Sequence, residues 1–168
     1  MPKKNFIQLL KNIKAFAFDI DGVLTDGKII VLPDGNMVRT MSTRDGYAMQ
    51  HAVNKGFKIV VISGGKSEPS RNRLEKLGVH DVFMGVTDKV AALNKFMADH
   101  QLKQEEILYM GDDMPDYDVM RLVGIPCCPK DAAEEIKKLS IYISGFKGGD
   151  GCVRDVIEQA MKIHGKWL

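Results

Sequence analysis

Short apolar runs alternate with amphipathic segments along most of the chain, and glycines or acidic residues separate them. Apolar runs of this length that end at a glycine are typical of buried parallel strands, whereas the amphipathic segments between them indicate helices. The predicted strands are 15–18, 57–62, 82–84, 107–110, 125–127 and 141–143, and the predicted helices are 47–55, 69–77, 88–100, 115–123, 132–139 and 153–164. We therefore predict an α/β fold of the Rossmann-like, doubly wound type, with a mostly parallel sheet and helices on both faces.

The segment 28–41 departs from this alternation. Two β-prone runs, 28–32 and 37–41, flank Pro33-Asp34-Gly35-Asn36, which is typical of a β-hairpin. The hairpin is too small to be a domain, and 168 residues are the length of one domain with its own core. We predict a single domain over residues 1–168 with a hairpin flap. Two local features complete it: an amphipathic lead-in over residues 1–13, and Asp45 as the N-cap of the helix that begins at Tyr47.

Composition and charge argue against several classes of partner. The formal net charge of +2 is too small to indicate a nucleic-acid or membrane partner, and no apolar run approaches the roughly 20 residues that span a bilayer. The N-terminus lacks the apolar core of a signal peptide. The three cysteines are odd in number, and two of them are adjacent, so they do not indicate a disulfide framework or a zinc site. We expect a cytoplasmic protein.

Polar side chains follow three of the predicted strands. Asp19 and Asp21 come directly after the first strand, where the two-residue period of a strand aims both to the same side. The other residues of this kind are Ser63, Lys89 at a helix start, Asp112 and Asp113. Because the carboxyl ends of parallel strands meet at one edge of a sheet, we expect these groups to converge.

Each of these motifs alone also fits an ordinary role: a polar strand end, a turn, or a solvated lysine. Acids that cap helices remain a sufficient explanation for Asp116 and Asp118. The joint occurrence of the other residues in this order, each directly after an apolar strand or at a helix start, favours a single site that carries chemistry.

The stretches D-I-D-G-V-L-T-D-G and G-D-D-M-P-D, with the Ser63 strand end and Lys89, resemble the four motifs of the haloacid dehalogenase superfamily of phosphotransferases. The resemblance implies that Asp19 is the nucleophile that forms an aspartyl-phosphate, and that Asp21 protonates the leaving alkoxide and then activates water. The implied Mg²⁺ ligands are Asp19, the backbone carbonyl of Asp21, Asp112 and, through water, Asp113. The implied phosphoryl- and substrate-binding residues are Ser63, Lys89 and Gly64.

Other stretches resemble the 3-deoxy-D-manno-octulosonate 8-phosphate phosphatases, a capless family of this superfamily. They are R-D-G-Y at 44–47, the Arg73 helix before L-E-K-L-G, and G-G-D-G-C-V-R-D at 148–155. The resemblance implies an enzyme of lipopolysaccharide precursor synthesis, with Arg73 near the phosphate and with Arg44 and Arg154 near a substrate carboxylate. It also implies a homotetramer, whose hairpins would pack together over open active sites.

Gly65 stands where that family commonly has an arginine, so a phosphatase of nine-carbon sialic-type 9-phosphates stays open as an alternative. The tail after the last helix is short, and whether it reaches the active site of a neighbouring subunit stays open. Two further alternatives are a non-catalytic module of the same fold and a phosphomutase. The first does not need Asp19 and Asp21, and the second usually needs a cap.

Overall fold

The computed structural model describes residues 5–168, so the first part of the predicted lead-in lies outside the described residues. The strands are β1 Ala15–Phe18, β2 Ile30–Val31, β3 Met37–Val38, β4 Lys58–Ile62, β5 Asp81–Phe83, β6 Ile107–Met110, β7 Ile125–Cys128 and β8 Tyr142–Ile143. The helices are α1 Phe6–Leu10, α2 Thr43–Asn54, α3 Glu68–Lys76, α4 Lys89–His100, α5 Tyr117–Met120, α6 Glu134–Leu139 and α7 Cys152–Ile163.

A six-stranded parallel sheet forms the centre of the structure, in the order β5-β4-β1-β6-β7-β8. All four residues of β1 are fully buried, and they alternate between two cores. Phe16 and Phe18 pack with residues of α1, α2 and α7 on one face, while Ala15 and Ala17 pack with residues of α4, α5 and α6 on the other. Full burial of each phenylalanine contributes about 1.5–3 kcal/mol relative to an exposed ring. The predicted doubly wound fold is therefore confirmed.

The predicted hairpin forms, but it is shorter than expected. Strands β2 and β3 pair over two residues each, in the register Ile30 to Val38 and Val31 to Met37. Their side chains face solvent: Ile30 is 58% exposed and Val31 is 67% exposed. The apolar side chains of the two hairpin strands therefore stay uncovered within one chain.

The start of α2 differs from the prediction. The helix begins at Thr43, and its N-cap is Ser42, whose Oγ accepts a hydrogen bond from Asp45 N–H at 3.3 Å. The prediction of Asp45 as N-cap was wrong because its carboxylate is buried in the α2–α7 interface. There Asp45 Oδ1 accepts from Arg154 N–H at 2.8 Å and so caps the start of α7 instead.

The predicted helix 115–123 is also shorter. A 3₁₀ turn, Met114–Asp116, leads into the single-turn helix α5. Asp113 Oδ1 caps that turn through Met114 N–H at 2.8 Å. In the part of the chain that the structure describes, no helix is long and apolar enough to cross a membrane.

Candidate active site

The loop after β1 carries Asp19 and Asp21, and hydrogen bonds within the loop hold its two ends together. Ile20–Leu24 forms a kinked helical turn in which Asp21 and Gly22 leave helical geometry. The buried Thr25 Oγ1 accepts from Gly22 N–H at 3.3 Å and from Gly27 N–H at 3.2 Å. This hydroxyl holds both ends of the loop, so the carboxylate positions are set by backbone contacts.

Two glycines allow this loop to be approached from both sides. Gly22 has φ of +90°, and a Cβ there would overlap the carboxylate of Asp112. A Cβ at Gly148 would overlap the carbonyl of Gly22, and Gly149 N–H donates to Val23 O at 2.9 Å. The glycine-rich stretch before α7 therefore packs against one side of the acidic loop, and the missing side chain of Gly22 lets Asp112 approach it from another.

Lys89 lies at the centre of the charged network. Its Nζ is 3.0 Å from Asp19 Oδ2 and 2.7 Å from Asp116 Oδ1. Asp116 is completely buried, and it also accepts from Tyr109 O–H at 2.9 Å and from Asp112 N–H at 3.1 Å. Asp19 Oδ1 accepts from Ile20 N–H at 2.7 Å, which fixes the orientation of that carboxylate.

The electrostatics of the network are dominated by crowded negative charge. Burial, and then the nearby carboxylate of Asp116, raise the pKa of Asp19 well above its usual range and that of Asp112 to about 7. Burial lowers the pKa of Lys89, but the carboxylates of Asp19 and Asp116 outweigh it, so the net shift is upward. Lys89 is therefore a fixed cation that cannot alone neutralise three carboxylates.

These residues fit a divalent cation. One oxygen of each of Asp19, Asp112 and Asp116 lies within 4.8 Å of the other two. Mg²⁺ prefers carboxylate and carbonyl oxygens as ligands, and the unbalanced negative charge of the cluster favours its binding. Since Asp116 is already occupied by three donors, Asp19 and Asp112 are the carboxylates that would hold the ion.

A cavity of about 390 Å³ opens over this network. We call it the phosphoryl cavity. Its polar lining residues are Asp19, Asp21, Ser63, Thr87, Lys89, Asp112 and Asp113, and Gly64 also lines it. Ser63 is 3% exposed, and its Oγ accepts from Gly65 N–H at 3.2 Å. All of the residues that strand ends and motifs predicted for catalysis and metal binding thus line one cavity, together with Gly64.

The predicted arginines lie elsewhere. Arg73 lines a neighbouring cavity formed by the hairpin and α3. Arg44 and Arg154 line a third cavity, which shares no lining residue with the phosphoryl cavity. Arg154 also pairs with Glu158 at 3.1 Å and stacks over Trp167, 5.2 Å from the ring centroid. Within one chain, the structure does not bring Arg44 and Arg154 to the carboxylates of the phosphoryl cavity.

The C-terminal tail packs on its own domain. The backbone carbonyl of Trp167 lies 2.8 Å from His51 Nε2, and the indole lies edge-on to the rings of Tyr47 and His51.

Sequence reasoning missed two residues of the site. Asp116 was explained as a helix cap, although it orients Lys89 from the buried side. Arg39, at the end of the hairpin, pairs with Asp21 at 2.7 Å. The spacing of Asp116 within G-D-D-M-P-D could have indicated the first, but no sequence pattern singled out the second.

Comparison with known proteins points to one group. A family model for haloacid dehalogenase-like hydrolases matches residues 78–156. The chain is 31% identical over 152 residues to 3-deoxy-D-manno-octulosonate 8-phosphate phosphatase KdsC of Yersinia pestis, covering 90% of this chain and 81% of the relative. The Escherichia coli K12 protein of the same name is 30% identical over 156 residues, which cover 93% of this chain and 83% of that protein.

Solved structures agree with the sequence comparison. The phosphatase of this name from Moraxella catarrhalis, in complex with a magnesium ion, a phosphate ion and a KDO molecule, superposes with a TM-score of 0.92 at 31% identity. The superposition covers 96% of this chain and 92% of that one. The cobalt-bound phosphatase from Haemophilus influenzae has a TM-score of 0.91 at 29% identity, over 95% of this chain and 94% of that chain.

The carboxylate cluster predicts that Mg²⁺ stabilises the folded protein. At a Mg²⁺ concentration about 100 times Kd, binding to the native state adds about 2.7 kcal/mol. For a domain of this size, the melting temperature should rise by roughly 5–10 °C. Asp112→Asn should abolish this rise without destabilising the metal-free protein, because it removes one of the crowded negative charges. Thermal unfolding with and without Mg²⁺ measures both effects.

The exposed Asp118→Asn is the matched control and should keep the wild-type rise. An undiminished rise in Asp112→Asn would contradict the assignment.

Proposed function

The chain belongs to the haloacid dehalogenase superfamily, in the capless branch of Mg²⁺-dependent phosphatases, and we propose that it hydrolyses 3-deoxy-D-manno-octulosonate 8-phosphate to the free sugar acid and phosphate. The observation that carries this proposal is the convergence of Asp19, Lys89 and Asp112 in one cavity. It occurs in a fold shared over 96% of the chain with a KDO-bound phosphatase. In this proposal the reaction belongs to lipopolysaccharide precursor synthesis in the cytoplasm. The three buried free thiols support a reducing compartment.

The proposed reaction begins with attack of the Asp19 carboxylate on phosphorus. The contacts of Asp19 with Ile20 N–H and Lys89 Nζ leave its oxygens in a fixed direction toward the cavity. Asp21 protonates the departing alkoxide as the ester P–O bond breaks. It then removes a proton from the water that attacks the aspartyl-phosphate, which returns Asp19 and releases phosphate.

The remaining residues provide charge and position. Lys89 and the Ser63 hydroxyl bind phosphoryl oxygens, with the backbone at Gly64 completing the pocket. The Asp19 carboxylate, the Asp21 carbonyl and Asp112 would hold Mg²⁺, with Asp113 reaching it through water, and the ion supplies positive charge that offsets the phosphate dianion. Asp116 touches no substrate in this scheme, but it fixes the lysine that does.

Substitution of the nucleophile provides the first test of this mechanism. Asp19→Asn should lower kcat by roughly 10⁴-fold or more, as expected for loss of a covalent nucleophile. Its circular dichroism and unfolding transition should stay native. EDTA should abolish the phosphatase activity of the wild type, and added Mg²⁺ should restore that activity. Asp118→Asn again provides the matched control, with kcat unchanged. Wild-type turnover by purified Asp19→Asn would rule out the covalent route.

The length of the substrate is the second point to test. We expect a higher kcat/KM for 3-deoxy-D-manno-octulosonate 8-phosphate than for nine-carbon 2-keto-3-deoxy 9-phosphates, because the family resemblance is to the eight-carbon enzymes. Steady-state kinetics on both substrates measure this ratio. A reversed preference would assign the chain to sialic-type acids, and the lack of a side chain at Gly65 would be the first feature to examine.

Assembly is the third element of the proposal, and we propose a homotetramer. The exposed apolar hairpin supports it, since a two-stranded ribbon with uncovered Ile30, Val31 and Met37 is marginal in water. Packing hairpins from several subunits would bury these groups, and a neighbouring subunit would then cover the open phosphoryl cavity.

Substitution on the hairpin tests assembly. Ile30→Asp should dissociate the oligomer and raise KM, because the uncovered cavity loses contact with the sugar. Light scattering measures the mass, and kinetics at the same concentration measure KM. Ile163→Asp, at an exposed isoleucine on α7 away from the hairpin, should leave both unchanged. A fully active wild-type monomer would refute this part of the proposal.

A further inference from the structure

Arg39 is the hairpin residue that enters the active site. Its Nε lies 2.7 Å from Asp21 Oδ1, and its Nη2 lies 3.1 Å from Asp21 Oδ2, so the pair is bidentate. The side chain is only 6% exposed. The third nitrogen, Nη1, is buried and has no hydrogen-bond partner among residues 5–168. A buried guanidinium nitrogen without an acceptor costs free energy, which a ligand oxygen would recover.

The Arg39–Asp21 pair lies where two cavities adjoin. Asp21 lines the phosphoryl cavity, whereas Arg39 lines a second cavity of about 320 Å³, which we call the hairpin cavity. The hairpin cavity is lined by Met37, Val38, Arg39, Met41, Thr43, Ser67, Pro69, Ser70 and Arg73. Its volume lies at the lower end of the range of about 300–1,000 Å³ for small-molecule sites. The pair therefore joins the lining of the phosphoryl cavity to that of the hairpin cavity.

The charge of the hairpin cavity selects the kind of group that enters. Its lining includes two arginines and no acidic residue. Among the described residues Arg73 forms no ion pair, and Arg39 pairs only with Asp21. An arginine with a free nitrogen binds carboxylates through charge-assisted hydrogen bonds. The hairpin cavity is thus suited to an anionic group at the end of the substrate away from phosphorus.

Gly65 provides the space that Arg39 occupies. A Cβ built at Gly65 would lie 3.4 Å from Arg39 Nη2 and 3.5 Å from Asp21 Oδ2. A longer side chain at this position would extend from a Cβ that already contacts the guanidinium. In this chain the cation beside Asp21 therefore comes from the hairpin and not from the loop after β4.

We propose that Arg39 is a specificity-determining residue that binds the carboxylate of the sugar acid through Nη1 while Nε and Nη2 remain on Asp21. This inference rests on the proposed function and names the residue that recognises the acid group. One guanidinium then links the recognised carboxylate to the carboxyl group that protonates the leaving oxygen. The bound carboxylate positions the leaving sugar in the site. Arg39 therefore does not improve the binding of phosphate esters that have no carboxylate.

A ratio of two substrates tests the proposal. The first is the 2-keto-3-deoxy sugar acid phosphate that the wild type hydrolyses best, and the second is p-nitrophenyl phosphate, which has no carboxylate. Arg39→Met should lower kcat/KM for the sugar acid phosphate by roughly 10- to 100-fold, the range expected for a charged hydrogen bond. The loss on p-nitrophenyl phosphate should be much smaller, and most of the loss on the sugar acid should be in KM. Arg39→Lys should recover part of the ratio, because it keeps the charge but not the fork.

The controls separate this role from a structural one. Arg71→Met removes a part-buried arginine of α3 that donates to Val82 O, and it should leave the ratio unchanged. An equal loss on both substrates in Arg39→Met would mean that Arg39 acts only through Asp21, and a lower melting temperature with an unchanged ratio would mean a structural role. Either result overturns the proposal. Because the sugar acid is chosen by wild-type preference, failure of the eight-carbon assignment would be seen separately.

Discussion

Three carboxylates packed around one lysine are the constraint on which the rest of the site depends. Asp19, Asp112 and Asp116 lie close together, and Lys89 pairs with the first and the last of them. Burial, and then the carboxylate of Asp116, raise the pKa values of Asp19 and Asp112. Such an arrangement is unfavourable without a further cation, so the fold must hold it in place. It does so by placing β1 between β4 and β6, which brings three polar strand ends to one edge of the sheet. The unbalanced charge then favours Mg²⁺ and, with it, a phosphate ester.

The sheet and the exposed hairpin contribute different residues to the site. The sheet edge carries the groups that we propose act on phosphorus, and they are fixed by backbone contacts such as those of Thr25. The hairpin contributes Arg39 to the site while its apolar face stays exposed. In our account, recognition of the substrate and assembly of subunits therefore depend on the same short segment. This arrangement explains how a chain without a cap domain can still select one kind of substrate.

Local patterns predicted the sheet and the polar groups that line the phosphoryl cavity, because each of these residues directly follows a buried strand or begins a helix. They failed where a tertiary contact outweighs the local pattern. Asp45 fits an N-cap, yet it is buried against α7, and Ser42 takes its place. Asp116 fits a helix cap, yet it faces Lys89 and Tyr109. Arg39 stands in a polar hairpin context that gives no sign of Asp21, because that contact spans 18 positions along the chain and depends on how the hairpin docks.

The central claim is that Asp19 carries the phosphoryl group during turnover, and a trapped intermediate tests it most directly. Asp21→Asn should still accept the phosphoryl group from p-nitrophenyl phosphate, whose leaving group needs no general acid, but should release it slowly, because the base that activates water is gone. Acid-quenched protein, digested after reaction with p-nitrophenyl phosphate and Mg²⁺, would be analysed by mass spectrometry. The account predicts one added phosphoryl group on the peptide 15–28, assigned to Asp19 by fragmentation. Turnover by Asp21→Asn with no phosphorylated peptide at any time, or a phosphoryl group on another residue, would contradict it.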